Sequence, residues 1–280
     1  MNKISIGKLI FRFKYKLSLT IFLISLESVI KILFPLFVGL AINDLLEGEY
    51  NGVIHLGFLG VTSIVIGSIR RFYDTRVYSG IYSEIAPEMI EREHSSGSST
   101  SRISARSHLL VEFVDFLENS MPELIGSILS LVGIAVIIFS LNQNVFYGCI
   151  GVLLVIFISY GLSGKYNYNL NSGYNSQLEK QVALIEQRDM EVLRNYFSGL
   201  MSWKIKLSDL EVVNYFTIWL SAIALITYTP IAIIGEGELK YGMIFAALMY
   251  VFDYIGVVIM FPMYIQIMIR LKEISNRLAT

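Results

Sequence analysis

LSLTIFLISLESVIKILFPLFVGLAI, residues Leu17–Ile42, is a run of 26 positions that carries only two charged side chains, Glu27 and Lys31. A helix needs about 20 mostly apolar residues to cross a bilayer, and backbone polar groups in hydrocarbon must be satisfied within the segment, so the run reads as a transmembrane helix. It is too long for a secretory signal, no small-residue cleavage site follows it, and it carries two charges. It therefore reads as an uncleaved first span.

Five further stretches of the same kind follow at Val53–Ile69, Leu124–Leu141, Val145–Leu162, Val213–Ile234 and Gly242–Ile269. Composition agrees: 54% of the 280 residues are hydrophobic and 16% are charged, against about 25% charged in soluble domains, and the mean hydropathy is +0.60. The expected fold class is an all-α membrane protein, one six-helix domain over residues 1–280 in a lipid bilayer. A net charge of −1 gives no sign of nucleic acid. Cys149 alone excludes an intramolecular disulfide, and His55, His94 and His108 are too scattered for a metal site. No cofactor is expected. No nucleophile–base pair lies within the spans, so an enzyme is not expected either.

The basic residues set the orientation. Of 22 Lys and Arg, 20 fall before span 1, between spans 2 and 3, between spans 4 and 5, or after span 6. The positive-inside rule puts both termini and both long connections in the cytoplasm, with a bacterial inner membrane as the expected location. The outer connections are short, whereas the inner ones run from Arg70 to Glu123 and from Ser163 to Val212. Leu178, Val182, Ile185, Val192 and Tyr196 recur at helical spacing, so each inner connection reads as two helices joined by a turn, reaching ~35 Å from the membrane at 1.5 Å per residue. The first turn is expected at His94–Ser101, HSSGSSTS, and the second near Ser198–Lys206, SGLMSWKIK.

Several segments carry a resemblance. A basic amphipathic stretch, Ile10–Lys16, precedes span 1, which ends in PLFVGLAINDLLEG (Pro35–Gly48). Span 2 leaves through RRFYDTRVYSGIYSEI (Arg70–Ile85), and TSRISARSHLLVEFVDFLENSMPELIGS (Thr100–Ser127) leads into span 3. GELKYGMIFAALMYVFDYIGVVIMFPM (Gly237–Met263) forms span 6, and ISNRL (Ile274–Leu278) follows. In order and spacing these segments resemble the membrane domain of ABC exporters over nearly the whole chain. The resemblance implies a transporter, a homodimer in which spans 4 and 5 cross to the partner copy, and a coupling region at Ser99, Thr100, Ser101, Arg102, Trp203 and Lys204. The family's ATPase domain would be expected after residue 280. The 280 residues contain no GxxxxGK[ST] phosphate loop, so the chain itself is expected not to hydrolyse ATP. Three readings stay open. The chain could be an ATPase-less transporter of an organic solute or peptide, working by alternating access and driven by protons. It could be a permease subunit served by a separate ATPase subunit, or a membrane scaffold or regulator that transports nothing.

Ionisable groups inside spans cost about 2.5–3.5 kcal/mol each on insertion scales and default to a functional reading. Glu27 and Lys31 share a face at i, i+4. Lys31 and Asp253 each lie 11 residues from the outer end of their span, ~17 Å deep, so Lys31 has two candidate partners. The three residues are either a cation- or proton-binding cavity or a neutral cluster that fixes helix register. Tyr160, Tyr166, Tyr168, Asn167 and Asn169 surround the inner mouth of span 4, either as cavity lining or as an interfacial aromatic belt. Gly57, Gly60, Ser63 and Gly67 put small residues on one face of span 2, a pattern expected for close helix packing. Pro35, Pro230 and Pro262 are expected to kink their helices.

Overall fold

The computed structural model describes residues 11–186, 189–235 and 240–279. They form α1 (Lys14–Leu46), α2 (Asn51–Ser95), α3 (Thr100–Asp115), α4 (Met121–Leu141), α5 (Gln143–Glu179), α6 (Gln181–Glu186), α7 (Met190–Ile234), α8 (Tyr241–Ile259) and α9 (Phe261–Ala279), with a π-helical turn at Phe116–Ser120 between α3 and α4. Six stretches are long and apolar enough to cross a membrane. The six expected spans are therefore present in an all-helical chain with no strand among the described residues.

The chain forms two compact units. One comprises residues 1–141 with 236–280, which hold spans 1–3 and 6; the other comprises Asn142–Gly235, which holds spans 4 and 5. In the first unit α1 is the central strut and touches α2, α4 and α8. Beyond the apolar part of α2, Val77, Ile81, Ile85 and Met89 recur every fourth residue and make a buried stripe. That stripe packs on Leu110, Phe113 and Leu117 and on Ile274, so the end of α2 beyond its apolar part has its own core. Arg12 clasps the same end, 2.5 Å from Glu84 and 2.9 Å from Glu88. Ile10, at the start of the basic segment, lies outside the described residues, as do residues 237–239 of the sixth-span motif and the side chains that follow Ile274 in ISNRL.

In the second unit α5 and α7 run side by side. Their buried polar clip is Asn214, which accepts from the Ser159 hydroxyl at 2.9 Å and donates to Ser163 Oγ at 3.1 Å. The turn between spans 4 and 5 differs from the sequence expectation. α7 runs straight through Ser198–Lys206, because one exposed helical glycine, Gly199, costs only about 1 kcal/mol relative to alanine and breaks nothing. The chain breaks instead between Lys180 and Asp189, where the Asp189 carboxylate caps α7 by accepting from Glu191 N at 2.9 Å and Val192 N at 3.2 Å. Gln187 and Arg188 lie outside the described residues. Leu178, Ile185, Val192 and Tyr196 thus belong to three helices and not to one face, and Tyr196 reaches back to donate to the Gln177 carbonyl at 2.8 Å. Pro262 divides the sixth span: α8 ends before it and α9 restarts at Phe261. Pro35 and Pro230 lie inside continuous helices.

Candidate functional site

The site begins with two i, i+4 pairs on neighbouring helices. On α1, Lys31 Nζ sits 2.9 Å from Glu27 Oε1. On α2, Arg70 Nη1 sits 3.0 Å from Asp74 Oδ2. The pairs are joined by Arg70 Nε, which donates to Glu27 Oε2, and the far end closes with the Thr20 hydroxyl donating to Asp74 Oδ1 at 2.9 Å. The result is a line of alternating charge from Lys31 to Thr20, eleven residues of α1 or about 16 Å. Both acids are buried. A buried carboxylate is tolerated only when it is paired and its remaining oxygens are hydrogen-bonded, and Arg70, with a guanidinium that donates in several directions, serves both. The sequence reading assigned Arg70 to the inner connection and missed this role.

Lys31 had two candidate partners. The structure takes Glu27, and no ion pair joins Lys31 to Asp253. Asp253 instead stands on the wall of a cavity of about 520 Å³ between α1, α4 and α8, which Lys31, Phe34 and Phe252 also line. A second cavity of about 630 Å³ lies along the charge line. Lys31, Ser130 and Val257 line both, so the two meet at Lys31.

The wall of the second cavity contains a backbone irregularity with an identifiable cause. Pro122 has no N–H to give the Glu118 carbonyl, and its ring excludes a normal helical turn there. The helix absorbs an extra residue, and the Met121 N–H bonds the Phe116 carbonyl in π geometry. Glu118 and Asn119 consequently line the cavity, where Glu118 accepts from the Thr75 hydroxyl at 2.9 Å. Proline four residues after a glutamate on the approach to a span was the available signal, and it was passed over.

Above the cavities the helices close tightly. Gly39 and Gly242 bring α1 and α8 into backbone contact; a Cβ on Gly39 would lie 2.5 Å from the Gly242 carbonyl oxygen. The Gly242 N–H donates to Asn43 Oδ1 at 2.8 Å, and the Gly52 N–H to Asp44 Oδ2 at 2.7 Å. Tyr250 donates to the Ile32 carbonyl at 2.7 Å, one residue past Lys31, and Ser127 and Tyr264 share a 2.6 Å hydrogen bond. Of the small residues of span 2, a Cβ at Gly57 or Gly60 would meet nothing within 4 Å among the described residues, whereas one at Gly67 would lie 3.8 Å from Glu27 Oε1.

The remaining candidates lie elsewhere. Tyr160, Tyr166 and Tyr168 are exposed on α5, and neither they nor Asn167 and Asn169 line the two cavities. Ser99 caps α3, accepting from Arg102 N at 3.4 Å, and Thr100, Ser101 and Arg102 form its first turn. Trp203 and Lys204, expected at a turn, are mid-helix residues of α7, with the Trp203 ring packed on Gly173. At the α2–α3 turn, Gly97 adopts φ +75°, a conformation other residues rarely reach. The buried Glu93 carboxylate accepts from the Ser98 hydroxyl at 2.7 Å and from Arg106.

These partners, Ser98 first and Arg106 after it, outweigh burial and hold the Glu93 carboxyl below the usual carboxylate range. A depressed carboxyl pKa stabilises the fold above the ordinary value, and the effect is lost as pH falls through the folded-state value. Glu93→Gln should therefore lower stability by about 2 kcal/mol at neutral pH. In thermal melts the gap to the parent protein should close on acidification.

Fold and site together define a polytopic helical membrane protein with a charged, partly open cavity inside its bundle. The profile of the ABC transporter transmembrane region matches residues 6–242, and the chain belongs to that family. Its class is that of membrane transport. No curated protein matches the chain.

Proposed function

We propose that the chain is a solute transporter, not an enzyme. Two copies assemble in the bacterial inner membrane with both termini cytoplasmic, and the solute cavity of each copy opens alternately to the two sides. The division of the chain supports the exchange of spans 4 and 5 between copies, because those two spans form a compact unit of their own. Large apolar side chains such as Phe157, Ile158, Phe216 and Leu220 stay exposed on that unit and need lipid or a partner to cover them. The solute is an organic molecule or peptide, and Asp253 couples its movement to protons.

The observation that carries this reading is the contrast between the acids. Glu27 is held by two cations, whereas Asp253 has no ion pair among the described residues and faces an open cavity in mid-span. An intramembrane carboxylate without a fixed counter-ion is free to exchange a proton. In pH-difference infrared spectra of the reconstituted protein, a protonated-carboxyl band should appear that Asp253→Asn removes and Glu27→Gln leaves. A spectrum unchanged by Asp253→Asn overturns proton coupling. The second reading, drive by an ATPase, is favoured by the ordered α2–α3 turn, whose Glu93, Ser98 and Arg106 lock gives a partner a firm surface.

A further inference from the structure

The cavity between α1, α4 and α8 presents two opposite charges that do not meet. Lys31 and Asp253 both line it, yet no ion pair forms between them. Lys31 is only partly neutralised, because its partner Glu27 is shared with Arg70, and its side chain stays 64% exposed. An ammonium has three donors, so donors remain for a ligand. Asp253 has no hydrogen-bond or ion-pair partner among the described residues. The rest of the wall is largely apolar, with Phe34, Phe252, Met249 and Ile134 beside the hydroxyls of Ser63 and Ser130. A volume of about 520 Å³ lies within the ~300–1,000 Å³ range of small-molecule sites.

We propose that this cavity is the solute site and that it takes a zwitterion with an apolar body, an amino acid with a large apolar side chain or a short peptide of such residues. The assignment rests on the transport reading. Lys31 receives the carboxylate, Asp253 receives the ammonium, and the apolar side chain lies against Phe34, Phe252 and Met249. A simple cation meets Lys31 and a simple anion meets Asp253, each a like charge at short range that costs affinity. A neutral apolar solute strips water from both charges and pairs neither, which is unfavourable. A zwitterion alone satisfies both ends and the wall between them.

The test changes the ligand before it changes the protein. Full-length chain in lipid nanodiscs is titrated with radiolabelled leucine and, separately, leucyl-leucine, which tells an amino acid from a peptide. Unlabelled leucyl-leucine, its N-acetyl derivative and its C-terminal amide then compete. Blocking either end should weaken competition about tenfold or more, since each end makes a charge-assisted bond. On Asp253→Asn the N-acetyl and free peptides should compete equally; on Lys31→Met the amide and free peptides should. Blocked peptides that compete as well as free ones on the parent protein overturn the proposal, as does folded, dispersed protein that binds neither label up to ~10 mM. Binding failure with a cavity reachable from both membrane faces removes this ligand class and leaves transport standing. Binding to a cavity reachable from one face only keeps the site and removes transport.

Discussion

Replacing Gly242 with alanine should nearly abolish folded protein in the membrane. A Cβ at that position would lie 2.8 Å from Asn43 Oδ1 and 2.8 Å from the Gly39 carbonyl carbon, and closer still to the Gly39 carbonyl oxygen. Neither obstacle is the free end of a flexible chain. One is backbone, and the other is the oxygen that accepts the Gly242 N–H. α1 and α8 must therefore separate, and the movement propagates to Tyr250, whose hydroxyl holds the Ile32 carbonyl. Overpacking costs about 1–3 kcal/mol where side chains can yield, and here the contact is backbone on backbone, so a loss of about 4 kcal/mol is expected. Gly57→Ala is the control. Its Cβ meets nothing within 4 Å, and alanine is the better helix former by about 1 kcal/mol. The measurement is the midpoint of thermal unfolding in detergent for both variants. Equal midpoints would mean that the α1–α8 contact is not a tight one.

The second large effect belongs to Arg70. Arg70→Met leaves the buried Asp74 carboxylate with only the Thr20 hydroxyl and the buried Glu27 with Lys31 alone. Removing one partner of a buried pair costs about 3–5 kcal/mol, because an uncompensated charge remains. The loss should be largely restored by adding Glu27→Gln and Asp74→Asn, which remove the charges that Arg70 served. Lys31→Met should behave differently. Its side chain is exposed to the cavity, and exposed pairs contribute under about 1 kcal/mol, so fold and expression should survive it. Unfolding midpoints of the four proteins order the effects. If Lys31→Met costs as much as Arg70→Met, Lys31 is a structural counter-ion and is not available to a solute.

These two results fall on different sides of what the sequence reveals. Hydropathy is a one-dimensional signal, so six long apolar helices were readable from the chain, and the i, i+4 spacing made Glu27 one of two candidate partners for Lys31. The role of Arg70 was not readable, because it ends an apolar run and looks like any membrane-flanking cation; its partner Glu27 is 43 positions away, and nothing local joins them. The glycines of span 2 are ambiguous for a related reason. A small-residue stripe has the same period whether it meets a neighbour in the chain, a partner or lipid, and the close approach is made by Gly39 and Gly242 instead. The second inner turn was placed on a segment with a glycine because the true break holds no glycine or proline. Its one local mark is Asp189, a helix-capping residue two positions before Glu191.

Accessibility from the two faces of the membrane tests transport itself without requiring a known solute or energy source. Cys149 is replaced by serine, and a single cysteine is placed at Ser63 on the cavity wall. Right-side-out and inside-out vesicles are treated with a membrane-impermeant maleimide, with a cysteine at Glu91 on the exposed inner end of α2 as the marker for one face. Alternating access predicts that the Ser63 position is labelled in both preparations while the Glu91 position is labelled only in inside-out vesicles. Labelling of the Ser63 position from a single side, under every condition that leaves the marker intact, would contradict the account and leave a membrane protein that carries nothing across.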